Sequence, residues 1–89
     1  MPSMEITFSS EAWQDYLWWV RQDIKTFNKI NDLINDIERN GNIGIGHPEP
    51  LKNANGYWSR HINKKDRLIY KIVDKNIRIA YCRNHYDDH

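Results

Sequence analysis

Apolar residues recur at helical spacing in two adjoining segments of the first half of the chain. The first segment, "EAWQDYLWWVRQ", follows Ser9 and Ser10, either of which can cap a helix. The second, "IKTFNKINDLINDIERN", follows a potential cap at Asp23 and reaches a stop signal at Asn40-Gly41. Its apolar stripe predicts a helix face in the core, formed by Ile24, Phe27, Ile30, Ile34 and Ile37, with Leu33 at the edge.

Strand-like segments flank these two predicted helices. "MEITFS" alternates weakly before them, and "YWSRHIN", "RLIYKIVD" and "IRIAYCRN" follow, joined by links short enough for hairpins. Between the second helix and these strands, residues 42–56 are rich in glycine and proline and are predicted to form a long loop. The pattern predicts one α+β domain over residues 1–89: a short N-terminal strand, two helices and an antiparallel meander sheet. We expect residues 1–3 and 87–89 to be flexible ends.

Composition and charge narrow the class of protein. Charged residues make up 28% of the chain, and no apolar run approaches the length of a membrane span, so we expect a soluble protein without a membrane partner. The N-terminus lacks the features of a signal peptide, and a single cysteine, Cys82, cannot form an internal disulfide, which favours the cytoplasm. The net charge is only +1, but basic residues cluster in the second half and permit a basic face: Arg60, Lys64, Lys65, Arg67, Lys71, Lys75, Arg78 and Arg83.

The predicted loop contains an unusually constrained acid. In "GHPEPLK", Glu49 stands between Pro48 and Pro50, which disfavour the helical region for the residues before them and have their own φ fixed. A solvated loop needs no such bracing. The pattern indicates that the two prolines orient the Glu49 carboxylate for a function.

Four residues of the loop and the C-terminal half can supply catalytic groups: Glu49, Arg67, His85 and Tyr86. Taken singly, each has an ordinary structural explanation, such as a solvated acid or an arginine at a strand edge. Together they contain what is needed to cleave RNA without a metal. Glu49 can accept a 2′-hydroxyl proton, Arg67 can stabilise charge on the phosphate, and protonated His85 can donate to the leaving oxygen.

Other chemistries fit the sequence less well. His47, His61, His85 and His89 show no paired metal-ligand spacing, and the glycines of "GNIGIGHPEP" have no strand directly before them or helix directly after them. Cys82 lies in a predicted strand, where it suits a small buried hydrophobic position better than a nucleophilic one. We therefore expect neither a metal nor a cofactor.

Several segments together resemble the Txe/YoeB toxins of bacterial toxin–antitoxin systems, within the RelE/ParE superfamily. These are "EAWQDYLWW", "KINDLINDIERN", "GHPEPLKNANGYWSR", "RLIYKIVD" and "CRNHY", covering about residues 4–86. The resemblance implies a RelE-like microbial RNase fold, with the cleft on the sheet. It also implies a ribosome-dependent mRNA endonuclease (mRNA interferase) that cuts translated messages in the A site through a 2′,3′-cyclic phosphate, without a cofactor. A YefM/Axe-type antitoxin would neutralise it.

Roles carry over to matching positions. By this resemblance Glu49 is the general base, Arg67 the phosphate-stabilising arginine, His85 the general acid and Tyr86 an aromatic that positions substrate. The expected substrate-binding residues are Lys52, Arg60, His61 and Arg83, and His61 stands where relatives usually carry a second arginine. The chain also extends beyond Tyr86 into two acids and a histidine, where relatives often stop.

Two alternatives remain open beside the nuclease. One is a ParE-like toxin that inhibits a protein target such as gyrase without cleaving RNA. The weaker one is a DNA-binding autoregulator, which lacks an evident recognition helix. Separately, Trp13, Trp18 and Trp19 put more aromatic surface on the first helix than one core face can cover, which predicts a homodimer or an antitoxin contact there.

Overall fold

Two helices pack against one face of a five-stranded sheet in the computed structural model, which describes residues 4–84. In chain order the elements are β1 (Glu5–Phe8), α1 (Ser10–Gln22), α2 (Ile24–Asn40), β2 (Glu49–Pro50), β3 (Trp58–His61), β4 (Arg67–Val73) and β5 (Asn76–Tyr81). Neither helix is long and apolar enough to cross a lipid bilayer.

The strand order is β1-β5-β4-β3-β2. Strands β3, β4 and β5 form the predicted antiparallel meander, and β1 returns to pair in parallel with β5, so the sheet is mixed. Within the predicted loop, Glu49 and Pro50 add a short antiparallel edge strand to β3, which the sequence pattern did not indicate. Two residues give too little alternation to be recognised without their partner strand.

Both helices begin at side-chain caps. Ser9 Oγ accepts from the Ala12 N–H at 3.0 Å and so caps α1. Asp23 ends α1 and caps α2, because its carboxylate accepts from the backbone N–H groups of Lys25 and Thr26. Hydrogen bonds from Thr26 hold the pKa of Asp23 below its usual value. The predicted stop at Asn40-Gly41 is confirmed.

The apolar stripe of α2 supplies the core as predicted, with two corrections. Ile30, Ile34 and Ile37 are buried together with strand residues of β4 and β5. Leu33, which we placed at the edge, is fully buried, whereas Ile24 is 55% exposed because it is the first helical residue and lies beyond the sheet contact.

The buried side of α1 leaves out two of the helix's large apolar residues. Trp13 and Val20 are 46% and 42% exposed, whereas Ala12, Asp15 and Trp19 are buried. Trp19 and Asp15 turn inward because polar backbone of the segment after β5 meets them: Trp19 Nε1 donates to the Cys82 carbonyl at 2.7 Å, and Asp15 Oδ2 accepts from the Cys82 N–H at 3.2 Å. Hydrogen bonding therefore sets the rotation of this helix.

Cys82 lies fully buried beneath α1, as its sequence position predicted. Burial, with smaller contributions from the charges of Asp15 and Asp66, raises the pKa of its thiol to about 12. We expect the native protein to react with thiol reagents at pH 8 far more slowly than the urea-unfolded chain. Equal rates in the two states would contradict this placement.

The same thiol makes stability depend on alkaline pH. An unfolded cysteine ionises near pH 8.5, while the folded one stays protonated until about pH 12. The thiol's contribution is therefore complete below pH 8.5 and declines as the pH rises towards 12. Urea unfolding at pH 7.5 and at pH 10 should be measured for the wild type and for Cys82→Ala. The free energy of unfolding should fall less between these two pH values in the variant than in the wild type.

Candidate active site

The sheet face that the helices leave uncovered holds two of the four candidate catalytic residues, Glu49 and Arg67. Residues directly opposite each other in neighbouring strands share one face. Glu49 of β2 is opposite Ser59, Ser59 is opposite Ile69, and His61 is opposite Arg67. The register therefore brings Glu49, His61 and Arg67 onto the same face, on three neighbouring strands.

Glu49 and Arg67 meet across β3. Arg67 Nη1 lies 3.4 Å from Glu49 Oε1, and the two side chains are 43% and 51% exposed respectively. A pair this open contributes little to stability. The pair nevertheless has a chemical use. The Glu49 carboxylate can accept a proton, the Arg67 guanidinium beside it can bind a phosphate, and both are accessible to a ligand.

Backbone hydrogen bonds join the chain on both sides of Glu49 to β3 and to the residue just before it. On one side the His61 N–H donates to the Gly46 carbonyl at 2.6 Å; on the other the Leu51 N–H donates to the Tyr57 carbonyl at 2.9 Å. Gly46 has φ +79°, and a Cβ there would come within 2.7 Å of the Leu33 side chain. The expected bracing of Glu49 thus comes from these hydrogen bonds and close packing as well as from the prolines.

His47 adopts an uncommon backbone conformation beside this strand, with φ +59°. Pro48 excludes the right-handed helical region for it, as we expected, but His47 escapes into the left-handed region instead of extending. Its ring lies edge-on to that of His61, with centroids 6.0 Å apart.

Arg60 does not lie on the open face, which corrects the expectation that it binds substrate. Its side chain is 0% exposed, and Nη1 lies 2.5 Å from Asp36 Oδ2. Its other donors reach Tyr70 Oη and the carbonyls of a single short stretch, Gly41, Ile43 and Ile45. Since Arg60 alternates with Ser59 and His61 along β3, the pleat points it to the helix side.

This buried arginine organises the chain that leads to Glu49. Three loop carbonyls converge on its guanidinium, and the Ile45 N–H donates to Asp36 Oδ2 at 3.1 Å. The hydrogen bond from Arg60 holds the pKa of Asp36 below its usual value. Arg60 is therefore a structural residue that fixes residues 41–45, which end three residues short of the candidate base.

The other predicted substrate-binding residues have different surroundings. Lys52 is exposed in the turn region between β2 and β3. His61 is half-buried on the open face opposite Arg67. The Arg83 guanidinium lies over the Trp18 ring, 3.7 Å from its centroid, so it rests against α1. Substrate contact by these three residues stays a prediction.

His85 and Tyr86, the predicted acid and positioning aromatic, lie outside the described residues, as do the predicted flexible ends at 1–3 and 87–89. The chain just before His85 is firmly held. Besides the bonds of α1 to Cys82, the Asn84 N–H donates to Asp66 Oδ1 at 2.7 Å. Asp66 is 5% exposed and directly precedes Arg67. The Asp66 carboxylate thus connects the backbone just before His85 to the start of β4, where Arg67 lies.

Asp66 therefore yields a functional prediction. We expect Asp66→Ala to lower the turnover rate of the nuclease reaction proposed below by up to about 100-fold, since a displacement of about 1 Å in a catalytic group can have that effect. Asp66→Asn keeps an oxygen acceptor for the Asn84 N–H and should retain most activity. Single-turnover cleavage assays would compare them, and equal activity of Asp66→Ala and wild type would contradict the role.

Sequence reasoning missed the two carboxylates Asp36 and Asp66. Asp36 had a detectable signal, because it lies three residues after Leu33 and one before Ile37, inside an apolar stripe of α2. Asp66 had none, since an acid in "KKDR" is typical of a turn. Among residues 4–84, no three His, Cys, Asp or Glu side chains come together as metal ligands.

The sequence profile described as the YoeB-like toxin of the bacterial type II toxin–antitoxin system matches residues 8–86. The chain belongs to this family. Toxin YoeB of Synechocystis sp. (strain ATCC 27184 / PCC 6803 / Kazusa) is 50% identical over 84 residues, which cover 93% of this chain and 98% of that protein. As a YoeB-like toxin, the chain is the toxin component of a type II system, as the resemblance implied.

Solved YoeB structures agree with the fold. A YoeB dimer from Staphylococcus aureus superposes with a TM-score of 0.88 at 48% identity, covering 93% of this chain and 98% of that one. YoeB in a heterotetrameric YoeB–YefM toxin–antitoxin complex from the same species gives a TM-score of 0.87 at 48% identity, with the same coverage. The predicted α+β fold is confirmed as that of the YoeB toxins.

Proposed function

We propose that this YoeB-like toxin is a ribosome-dependent mRNA endonuclease that cuts translated messages in the ribosomal A site. The observation that carries the proposal is the Glu49–Arg67 pair, held on the open face of the sheet with 3.4 Å between its charged atoms. A solvent-accessible base beside a fixed cation suits attack on a phosphodiester.

The expected reaction is an internal transesterification. The Glu49 carboxylate takes the proton of a ribose 2′-hydroxyl, and the resulting oxygen nucleophile attacks the adjacent phosphorus. Arg67 stabilises the negative charge that builds up on the phosphoryl oxygens. The bond from phosphorus to the 5′ oxygen breaks, and His85 protonates that oxygen. The products are a 2′,3′-cyclic phosphate and a free 5′-hydroxyl, without a metal or a cofactor in the mechanism.

His85 and Tyr86 enter this proposal through the family resemblance. The bonds that Asp66, Asp15 and Trp19 make to residues 82–84 support it, because a proton donor must be aimed at the leaving oxygen. Tyr86 would help to position the substrate beside it.

A YefM/Axe-type antitoxin is the proposed protein partner, supported by the YoeB–YefM complex described above. We also propose a homodimer, supported by the YoeB dimer. We propose that α1 contacts either the antitoxin or the second copy of the toxin. Trp13 and Val20 are the exposed apolar side chains of this helix. Analytical ultracentrifugation should show concentration-dependent dimers, and a free toxin that stays monomeric over a wide concentration range would exclude the dimer.

Mapping of mRNA ends on translating ribosomes tests the nuclease proposal. Primer extension should reveal new 5′ ends within the A-site codon when the toxin is added, and none with the toxin alone on naked mRNA. Co-addition of the antitoxin should abolish them. Intact mRNA together with inhibited gyrase would instead support the ParE-like alternative.

A further inference from the structure

Two cations stand opposite each other on the open face of the sheet, away from Glu49. Lys71 of β4 is the cross-strand partner of Arg78 of β5. Like charges directly opposite are unfavourable in a sheet. Neither forms an ion pair within residues 4–84. Glu5, which pairs with Asn76 and is therefore diagonal to Arg78, is not within ion-pair distance of it. An anion between the two cations would relieve the repulsion.

An aromatic pocket adjoins this pair. Tyr57 and Arg78 line a surface pocket of about 160 Å³ together with Thr7, Ser9 and Ala80. Phe8 and Ile79 also border it, but their side chains pack into the core on the helical side of the sheet. Lys71 Nζ lies 5.2 Å from the centroid of the Tyr57 ring, which keeps this ammonium at the pocket's edge. A cavity of about 150 Å³ is known to accommodate benzene. The pocket is therefore of a size for one six-membered ring, such as a pyrimidine.

The pocket and the Glu49–Arg67 pair share one continuous surface. Lys71 lies four residues beyond Arg67 on the same strand, about 13 Å away at 3.3 Å per residue. Tyr57 lies two residues before Ser59, the partner of Glu49. A single RNA strand with stacked bases spans 13 Å with about four nucleotides, and an extended RNA strand needs fewer. One single strand can therefore occupy both places.

We propose that Tyr57, Lys71 and Arg78 form an RNA subsite for a nucleotide within about four positions of the cleaved phosphate. Its base stacks on Tyr57 in the pocket, and its phosphate lies between Lys71 and Arg78. Cations combined with an aromatic face suit single-stranded RNA. The subsite presumes the proposed nuclease function for its biological role, although RNA binding at the subsite can be measured without cleavage.

The first test measures binding without ribosomes. A fluorescent single-stranded oligoribonucleotide, 2′-O-methylated throughout to prevent cleavage, is titrated with wild type and with Lys71→Gln/Arg78→Gln. We expect the double variant to bind about tenfold or more weakly and to reduce the magnitude of the slope of log K against log salt by about 0.7, the contribution of one phosphate on a single strand. The control, Arg21→Gln/Lys25→Gln, removes equal charge from exposed positions on the helical side. Equal affinities of the two double variants would overturn the proposal.

The second test locates the base. Single abasic nucleotides are placed at each of four positions on either side of the ribosomal cut. At one of these positions the abasic nucleotide should raise the apparent KM of the wild type but not that of Tyr57→Leu. The kcat of both proteins should stay unchanged. If abasic nucleotides act equally on the two proteins, or if the cation variants lose ribosomal cleavage but not oligonucleotide binding, the mRNA subsite is wrong. If wild type cuts nothing yet the binding difference holds, the subsite stands and the nuclease proposal fails.

Discussion

Replacing Glu49 by glutamine is expected to slow mRNA cleavage on ribosomes by about 100- to 10,000-fold, the usual contribution of a general base. Glutamine keeps the size of the side chain and leaves the backbone pairing with Ser59 in place, but it cannot accept the 2′-hydroxyl proton. Single-turnover cleavage with toxin in excess separates this chemical step from ribosome binding. The matched control is Glu11→Gln, which changes an exposed acid in the first turn of α1.

Arg67→Gln should lower the same rate by about 100- to 1,000-fold, as removal of one group that stabilises transition-state charge does elsewhere. Arg21→Gln, in the last turn of α1, is its control. Because Glu49 and Arg67 act on one phosphate and contact each other, the double variant should lose less than the product of the two single losses. Cleavage by Glu49→Gln at the wild-type rate would refute the assignment of the base.

The largest expected effect on stability belongs to the buried pair of Arg60 and Asp36. Arg60→Met leaves the Asp36 carboxylate buried without its cation, which typically costs about 3–5 kcal/mol. For a domain of this size that lowers Tm by about 12 °C or more. Differential scanning calorimetry measures the shift. Arg78→Met, an exposed arginine on a strand, should change the free energy of unfolding by less than about 0.5 kcal/mol.

A second substitution separates charge from packing. Adding Asp36→Leu to Arg60→Met removes the stranded carboxylate and should recover part of the lost stability, since apolar replacement of a whole buried ion pair is often tolerated. If Arg60→Met is as stable as wild type, the pair does not hold the domain together. Cleavage should fall in Arg60→Met even where it is folded, because the stretch of residues 41–45 before Glu49 loses its anchor.

Acid should reveal the same interaction. The Asp36 pKa is lowered in the folded state, so its contribution to stability is complete above about pH 4, where an unfolded aspartate is ionised. It is lost as the pH falls through the lower, folded-state pKa. The free energy of unfolding of Asp36→Asn should therefore vary less between pH 5 and pH 2 than that of the wild type.

The sequence by itself determined the local order of this protein. Helical and alternating periods, the caps at Ser9 and Asp23 and the stop at Gly41 act over a few residues, so the two helices and the meander could be predicted from neighbours alone. The constraint on Glu49 was visible for the same reason, because each proline acts on its own φ and on the residue before it. The family resemblance then supplied roles for matched positions.

Only the tertiary structure decided which side chains face the open side of the sheet. Arg60 and His61 are adjacent in sequence, yet the pleat buries the first and turns the second to the open face. The same applies to the rotation of α1, which hydrogen bonds to Cys82 set, and to the approach of Lys71, Arg78 and Tyr57. These outcomes depend on strand register and on contacts between residues far apart in the chain, which local periodicity does not encode.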